Sequence, residues 1–196
     1  MNWLNLDKSL FLAINSFVGK EAVFDSLIRL VVNEYFVPVS LSLIVLYLWF
    51  APGKNRQTQR KTLPLAALSV GLVGLIITFS NQFIIRERPF QELATKLLFY
   101  KPTDPSFPSN AAAVGFAIAT AIFIANKKLG ILAIILAGAY GFSRIYAGVH
   151  YPSDVVVGSV LGTFCVLLVS RFKKLIEISA ELIQKIQTKT NLDINS

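Results

Sequence analysis

The stretch "LGILAIILAGAYGFSRIYAGVHYPSDVVVGSVLGTFCVLLVSR" (residues 129–171) decides the fold class of this protein. Two long apolar runs, roughly 129–148 and 153–171, flank a short polar segment that holds the single histidine of the chain, His150. Each run is close to the roughly 20 residues that a helix needs to cross the hydrocarbon core of a bilayer. The stretch therefore predicts two membrane-spanning helices that are joined by a polar turn.

Three further apolar runs lie upstream, at roughly 35–51, 63–85 and 111–126. Backbone inside a bilayer must satisfy its own hydrogen bonds, and the runs lack the alternation of a β-barrel, so all five runs predict helices. The composition agrees, since 54% of the residues are hydrophobic, 15% are charged and the mean hydropathy is +0.60. We expect an all-α, polytopic membrane helix bundle with about five transmembrane helices, or six, in one domain over residues 1–196.

The two ends of the chain predict helices of another kind. Residues 3–32 mix apolar positions with charges, so we expect an interfacial amphipathic helix that leads into a second helix, and not a clean sixth span. Asp7 and Lys8 interrupt the first apolar stretch and no basic start precedes it, so we expect no cleavable signal peptide. The tail from about Lys173 predicts a helix that leaves the membrane and frays by Asn191.

Basic residues predict the orientation of the bundle. They lie in the polar loop 52–62, in the turn after the third span and behind the last span, at Lys54, Arg56, Arg60, Lys61, Lys127, Lys128, Arg171, Lys173 and Lys174. Five spans place all of them on one side, which the positive-inside rule makes cytoplasmic. The net charge of +8 is then a signal of topology, and we expect no nucleic-acid partner.

Three polar segments then converge on the outer face, at 86–89, 108–110 and 143–154. Arg86, Arg88 and Arg144 offer guanidinium forks that suit the oxygens of a phosphate. Ser109 or Asn110 is a natural N-cap for the span that follows, so the positive end of that helix points at the same place. Each feature alone has a plainer explanation, as a headgroup anchor or an ordinary cap. Their coincidence on one face predicts a phosphate site.

His150 and Asp154 lie four residues apart at the start of the last span. In helical geometry the two side chains share a face. A carboxylate on one ring nitrogen would fix the tautomer and leave the other nitrogen as a nucleophile or base. Together with the arginines and the helix N-terminus, this pair predicts phosphoryl transfer through a phosphohistidine.

Ser143, Arg144, His150 and Asp154 also form the complete pattern S-R-x5-H-x3-D. By this pattern the chain resembles the membrane branch of the type 2 phosphatidic acid phosphatase superfamily, which shares its active site with vanadium haloperoxidases. The spacing of the motifs and the five-span layout look most like undecaprenyl-pyrophosphate phosphatases of the bacitracin-resistance type. The likeness covers nearly the whole chain, including "DKSLFLAINSF" (7–17) and "FDSL" (24–27).

The other two family motifs are each one residue short. The first, K-x6-R-P, is matched at Arg88 and Pro89, with Asn81 where the lysine is expected and Arg86 as a neighbouring positive charge. The second, P-S-G-H or P-S-[ND]-H, runs through "PSN" (108–110) and then reads Ala111 in place of its histidine. Two explanations fit Ala111: a deliberate change from histidine that traps an inactive form, or a natural variant with weak or no turnover. The motif is otherwise intact, which favours the first.

The resemblance implies a two-step hydrolysis of a lipid pyrophosphate at the outer face of the plasma membrane. His150 attacks the terminal phosphorus, Asp154 orients the imidazole, and the residue at position 111 would protonate the leaving oxygen. The predicted phosphate-binding residues are Arg86, Arg88, Ser109, Asn110, Ser143 and Arg144. Undecaprenyl pyrophosphate is the first substrate by resemblance, with phosphatidylglycerol phosphate and phosphatidate as alternatives. A non-catalytic lipid-phosphate binder or transporter, surrounded by membrane lipids, is the second class of function.

The sequence contains no pattern that indicates a metal or another cofactor. The single cysteine, Cys165, lies within an apolar run and permits neither an intramolecular disulfide nor a cysteine metal site. Asp, Glu, His and Cys form no cluster with the spacing of metal ligands, so we expect no metal and no other cofactor. The sequence does not define the oligomeric state.

Overall fold

The computed structural model of the protein describes residues 3–52 and 55–189. Every regular element within these ranges is a helix, as the sequence predicts. In chain order the helices are α1 (Trp3–Asn15), α2 (Ala22–Val32), α3 (Phe36–Phe50), α4 (Arg56–Arg60), α5 (Thr62–Ser80), α6 (Pro89–Glu92), α7 (Asn110–Ala125), α8 (Lys127–Tyr146), α9 (Pro152–Val169) and α10 (Lys173–Lys189).

Each of the five predicted spans corresponds to a helix, but the helices are not equal in length. Three stretches within the described chain are long and apolar enough to cross a membrane: Arg56–Ser80, Lys127–Tyr146 and Pro152–Val169. The run at 35–51 becomes α3, which passes the same test only together with α2, from which it is bent by 56°. The run at 111–126 becomes α7, an apolar helix of 16 residues. The fold is therefore the expected helical membrane bundle, with one broken span and one short helix.

Helix α7 forms the centre of the bundle. It packs against α3, α5, α8 and α9, and its buried face is rich in alanine. Small residues let membrane helices approach closely, where van der Waals contact replaces the hydrophobic effect. Helix α9 matches it with Gly158, where a Cβ atom would lie 2.4 Å from the carbonyl oxygen of Ser109, and with Gly162, where it would lie 2.1 Å from that of Ala113. This close crossing brings the first turns of α7 and α9 together.

Helices α1 and α2 are amphipathic in an unusual sense, because polar side chains lie on the buried face. In α1 the buried stripe is Asp7, Phe11 and Asn15, and Trp3 on the other face is 61% exposed. Asn15 accepts a hydrogen bond from the Lys96 amide at 2.9 Å and donates to two carbonyl oxygens, one of them that of Tyr146. The outward apolar face suits lipid, and the inward polar face binds these helices to the rest of the bundle.

The basic clusters gather at the opposite end of the bundle from the three polar segments. Lys61 at the start of α5 forms an ion pair with Glu177 of α10 at 2.7 Å. A cavity at this end of the bundle is lined by Lys61, by Lys173 and by Ala125, the last residue of α7. Lys127 and Lys128 begin the next helix, α8, at that end. Lys54, and the expected fraying by Asn191, lie outside the described residues.

Candidate active site

A cavity of about 270 Å³ opens at the end of the bundle where the polar segments meet. Residues from α3, α7, α8 and the intervening loops line it: Glu34, Pro38, Arg88, Tyr100, Pro102, Asp104, Asn110, Ala111, Val114, Tyr140, Arg144 and His150. Five of the predicted site positions, 88, 110, 111, 144 and 150, are therefore brought together although they lie up to 62 residues apart in the chain.

His150 lies in the turn between α8 and α9 and is only 4% exposed. Its Nδ1 lies 2.9 Å from the carbonyl oxygen of Ser106, an acceptor, so Nδ1 carries the proton and donates it. The other nitrogen, Nε2, lies 3.2 Å from Nη1 of Arg88, which also lines the cavity. Burial lowers the pKa of His150 below its ordinary value, which favours a neutral ring with a lone pair on Nε2.

Asp154 supports this ring without a direct hydrogen bond to it. Its Oδ2 is 3.8 Å from Nδ1 of His150, beyond hydrogen-bond range, and accepts instead from Ser106 Oγ at 2.6 Å and from the Tyr151 amide at 2.9 Å. The sequence pattern predicted direct contact by helical spacing. Helix α9 begins only at Pro152, so His150 lies before the helix and the spacing rule does not apply to it.

Ser106 completes the link, and sequence reasoning missed it. Its carbonyl oxygen accepts a hydrogen bond from His150 Nδ1, its hydroxyl donates one to Asp154, and its amide donates one to the carbonyl oxygen of Arg86 at 2.9 Å. The side chain is fully buried. No sequence signal marks it, because the group that contacts the ring is a backbone carbonyl, which every residue in the loop carries.

Arg88 is held from several sides beside the histidine. Its Nε donates to the Asp104 carbonyl at 2.9 Å, Nη1 donates to the Val149 carbonyl at 2.9 Å, and Nη2 pairs with the Asp104 carboxylate at 3.0 Å. The side chain is 2% exposed. These bonds fix the plane of the guanidinium, so it presents a pre-oriented positive charge to the cavity.

Arg144 presents a second guanidinium from the last turn of α8. Its Nη2 donates to the Tyr140 hydroxyl at 2.6 Å, and the group stacks 4.5 Å above the Phe99 ring and 4.9 Å from that of Tyr140. Its Nε is buried and has no hydrogen-bond partner within the described residues. A buried donor without a partner is costly, so this N–H is a candidate donor to a bound phosphate.

The first turn of α7 closes the cavity on a third side. Ser109 caps the helix by accepting from the Ala112 amide at 3.4 Å, and its own amide donates to the Asp154 carbonyl at 3.0 Å. Asn110 and Ala111 line the cavity just inside the helix start. Free amides and the positive end of the helix dipole favour an anion there.

Five of the predicted or expected positions do not line the cavity: Ser109 and Asp154, which support it from behind, and Arg86, Ser143 and Asn81. Arg86 is paired elsewhere, with Asp154 at 2.5 Å and Asp7 at 2.6 Å. Ser143 donates to the Tyr140 carbonyl of its own helix at 2.6 Å. Asn81 lies at the C-terminal end of α5, away from the lining residues. Charge and motif position indicated Arg86 and Ser143, but acceptors from distant or neighbouring residues engage both.

Acidic residues at the cavity were also missed. Glu34, in the break between α2 and α3, accepts a hydrogen bond from the Tyr100 hydroxyl, and this bond raises the pKa of Tyr100 to about 12. Asp104 is 56% exposed and forms an ion pair with Arg88. Neither acid belongs to a motif, and both lie in connecting segments whose position the sequence does not define.

Comparison with known proteins identifies the family. Residues 62–176 match the family model described as the PAP2 superfamily. Undecaprenyl-diphosphatase BcrC of Bacillus subtilis (strain 168) is 31% identical over 182 residues, which are 92% of this chain and 91% of that protein.

Two solved structures have a similar fold. Aquifex aeolicus LpxE has a TM-score of 0.61 at 30% identity, over 83% of this chain and 93% of its own. The first transmembrane PAP2 type phosphatidylglycerolphosphate phosphatase from Bacillus subtilis has a TM-score of 0.64 at 25% identity, over 89% of this chain and 88% of its own. The chain belongs to the PAP2 superfamily and is a membrane protein of the phosphatase class of hydrolases.

Proposed function

We propose that this protein is a one-domain phosphatase that hydrolyses a lipid pyrophosphate, undecaprenyl pyrophosphate, to the lipid monophosphate and phosphate. The observation that carries the proposal is the state of His150. Its Nδ1 proton is engaged by the Ser106 carbonyl, while Nε2 lies beside Arg88 in a cavity that Arg144 also lines. A neutral imidazole whose Nε2 carries its lone pair on the side of the cavity arginines is suited to attack phosphorus.

The first step forms a phosphohistidine. The lone pair of His150 Nε2 attacks the terminal phosphorus, the bond from phosphorus to the bridging oxygen breaks, and the bond electrons leave with the lipid phosphate. The ring becomes positively charged, and Asp154 stabilises that charge through Ser106. Arg88, Arg144 and the amides of the first turn of α7 hold the oxygens of the transferring group.

The second step returns the enzyme to its starting state. Water attacks the phosphorus of the phosphohistidine, the P–N bond breaks, and its electrons return to Nε2. The proton that the attacking water loses passes to the general acid, which gave its own proton to the bridging oxygen of the leaving lipid phosphate in the first step. In the family motif that residue is the histidine at position 111, where this chain has alanine. We therefore propose that the present form is impaired and that Ala111→His restores turnover.

The choice of a pyrophosphate rests on similarity over the whole chain. The B. subtilis relative named an undecaprenyl-diphosphatase matches 92% of this chain and 91% of its own length. Phosphatidylglycerol phosphate is the alternative, because one of the two similar folds carries that substrate in its name. Phosphatidate is a further alternative.

The proposed location of the site is the outer face of the plasma membrane. Lys61, Lys127 and Lys173 lie at one end of the bundle and the cavity lies at the other. Basic residues favour the cytoplasmic side, so the cavity faces outward. A cysteine introduced at 101 should then react with an impermeant thiol reagent added to intact cells, and a cysteine at 57 should not.

Phosphate release by the purified protein tests the function. The present chain and its Ala111→His variant are assayed in one detergent with undecaprenyl pyrophosphate, phosphatidylglycerol phosphate and phosphatidate. We expect Ala111→His to release phosphate fastest from the pyrophosphate. Faster release from either other lipid would reassign the substrate. Binding of the pyrophosphate with no release from any lipid by Ala111→His would instead establish a non-catalytic binder.

A further inference from the structure

A buried charge network lies directly behind the catalytic turn, outside the cavity. Asp7 of α1 is 3% exposed and reaches the first turn of α9. Its Oδ1 accepts from the Ser153 amide at 2.9 Å, and its Oδ2 accepts from the Ser153 hydroxyl at 2.5 Å and from Arg86 at 2.6 Å. A carboxylate at an N-terminal turn also interacts favourably with the helix dipole. Asp7 therefore fixes the start of α9 from outside that helix.

Arg86 connects this carboxylate to Asp154. One guanidinium nitrogen bonds Asp7 and the other bonds Asp154 at 2.5 Å, while the group stacks 4.2 Å above the Tyr151 ring. Asp154 is fully buried, so this pairing and its hydrogen bonds replace the water that its carboxylate oxygens would otherwise contact. Removing Asp7 would leave Arg86 free to turn toward Asp154 alone and would change the direction in which the Asp154 carboxylate points.

We infer that Asp7 is a positioning residue for this active site: it holds Arg86 and the first turn of α9 so that Asp154 keeps Ser106, and through it the His150 ring, in place. The inference rests on the proposed function, because it assumes that His150 is the nucleophile. Asp7 itself lies outside the cavity lining and touches no reacting atom.

The network also makes α1 a part of the catalytic apparatus. Trp3, Leu4 and Leu10 on its outer face are 61%, 47% and 47% exposed, which suits the lipid interface. On the inner face Phe11 packs edge-on against Tyr151, with ring centroids 5.6 Å apart. The same helix thus contacts lipid on one face and orients a catalytic carboxylate from the other.

The test compares Asp7→Asn with its parent, both in the Ala111→His background. We expect kcat to fall about 10- to 100-fold, the usual cost of losing a support for a catalytic group. KM should stay within about twofold, because the cavity lining is intact. In the background of Arg86→Gln, which removes the connecting group, adding Asp7→Asn should lower kcat little further.

Asp25→Asn is the matched control. Asp25 is also a buried carboxylate of an N-terminal helix, and it accepts from the Tyr146 hydroxyl at 2.7 Å and the Gly19 amide at 2.9 Å, with no bond to Asp154. Its loss should lower the melting temperature and leave kcat near the parent value. If Asp7→Asn does not fold, Ser153→Ala replaces it, since that change removes one bond to Asp7 and one from Arg86.

Four results would overturn the inference: an unchanged kcat in a folded Asp7→Asn protein, a rise in KM alone, losses that multiply with Arg86→Gln, or an equal loss of kcat in Asp25→Asn. The activity of the Ala111→His protein distinguishes a failure of this inference from a failure of the proposed function. Should Ala111→His be inactive on every lipid, the proposed function fails. Should it be active and equal to its Asp7→Asn derivative, only the positioning role fails.

Discussion

The two ends of the bundle use the same charged residue types in opposite ways. At the end of the bundle opposite the cavity, Lys61 and Glu177 form an ion pair whose side chains are 43% and 49% exposed, so water screens the interaction. At the cavity end Arg88 and Arg144 are 2% and 5% exposed, and hydrogen bonds orient both. Charge alone therefore does not distinguish a topology signal from a phosphate site. Burial and the number of fixed contacts do.

The strongest expected difference concerns His150. In the Ala111→His background, His150→Ala should lower phosphate release by at least about 10⁴-fold, because it removes the nucleophile. Binding of the lipid pyrophosphate should persist through Arg88 and Arg144. Activity near the parent rate would disprove the phosphohistidine step. Binding measured on the same preparation separates lost chemistry from lost folding.

A second large effect concerns the acid at position 111. A general acid contributes about 10²- to 10⁴-fold, and most when the leaving group is poor. An alkoxide that leaves a lipid monophosphate needs a proton more than a lipid phosphate that leaves a pyrophosphate. The Ala111 form should therefore keep a larger fraction of the Ala111→His activity on isoprenoid pyrophosphate than on phosphatidate. Equal fractional losses at one pH and in one detergent would assign position 111 to substrate positioning or to the attack of water.

A paired substitution tests the comparison itself. Arg88→Gln at the cavity should lower kcat/KM about 10²- to 10³-fold, the cost of one preorganised donor to the transition state. Arg60→Gln at the other end, where the guanidinium lies 5.9 Å from the Trp49 ring, should change it less than about twofold. Both variants lose one positive charge, so comparable losses would mean that net charge, and not the oriented contact, drives binding.

The smallest expected effect is a lowered pKa of His150, which a pH titration measures. The Ala111 form contains one histidine, so a single imidazole signal in an NMR pH series belongs to His150. Burial disfavours the charged ring, so its pKa should lie below the ordinary value, and the ring should stay neutral to lower pH than an exposed histidine. A pKa above the ordinary value would mean that the Asp154 charge outweighs burial, and a larger fraction of the nucleophile would then be protonated at neutral pH.

Much of the architecture was predictable, because hydrophobic runs and basic loops report the bilayer directly. Five helices, the cavity end and the convergence of Arg88, Arg144 and His150 all followed from span order. The length of α7 followed as well, since the predicted run at 111–126 differs from Asn110–Ala125 by one residue at each end. The break between α2 and α3 falls at Asn33 and Glu34, just before the predicted run 35–51, but hydropathy does not give the bend of 56° between the two helices.

Within the site, the sequence predicted which residues matter better than it predicted which groups they form hydrogen bonds and ion pairs with. Arg86 was expected to bind phosphate, but it forms an ion pair with Asp7. Asp7 lies 79 residues earlier, in a helix whose sequence predicts an interfacial amphipathic helix. Asp154 was expected to contact His150 directly, but the helix begins two residues too late for that spacing. Ser106 contributes through both its carbonyl oxygen and its hydroxyl, and it lies in a connecting segment outside every motif. Each of these contacts depends on a tertiary arrangement that no local rule encodes.

The contact between Asp7 and Ser153 also orders events during synthesis. The two residues are 146 positions apart, so at a translation rate of 5–20 residues per second roughly 7–30 s separate their appearance. Throughout that interval α1 exists without the turn that it holds in the folded protein. A chain that stalls before α9 therefore carries Arg88, Arg144 and His150 but lacks Ser153 and Asp154, so the network that supports the histidine cannot form.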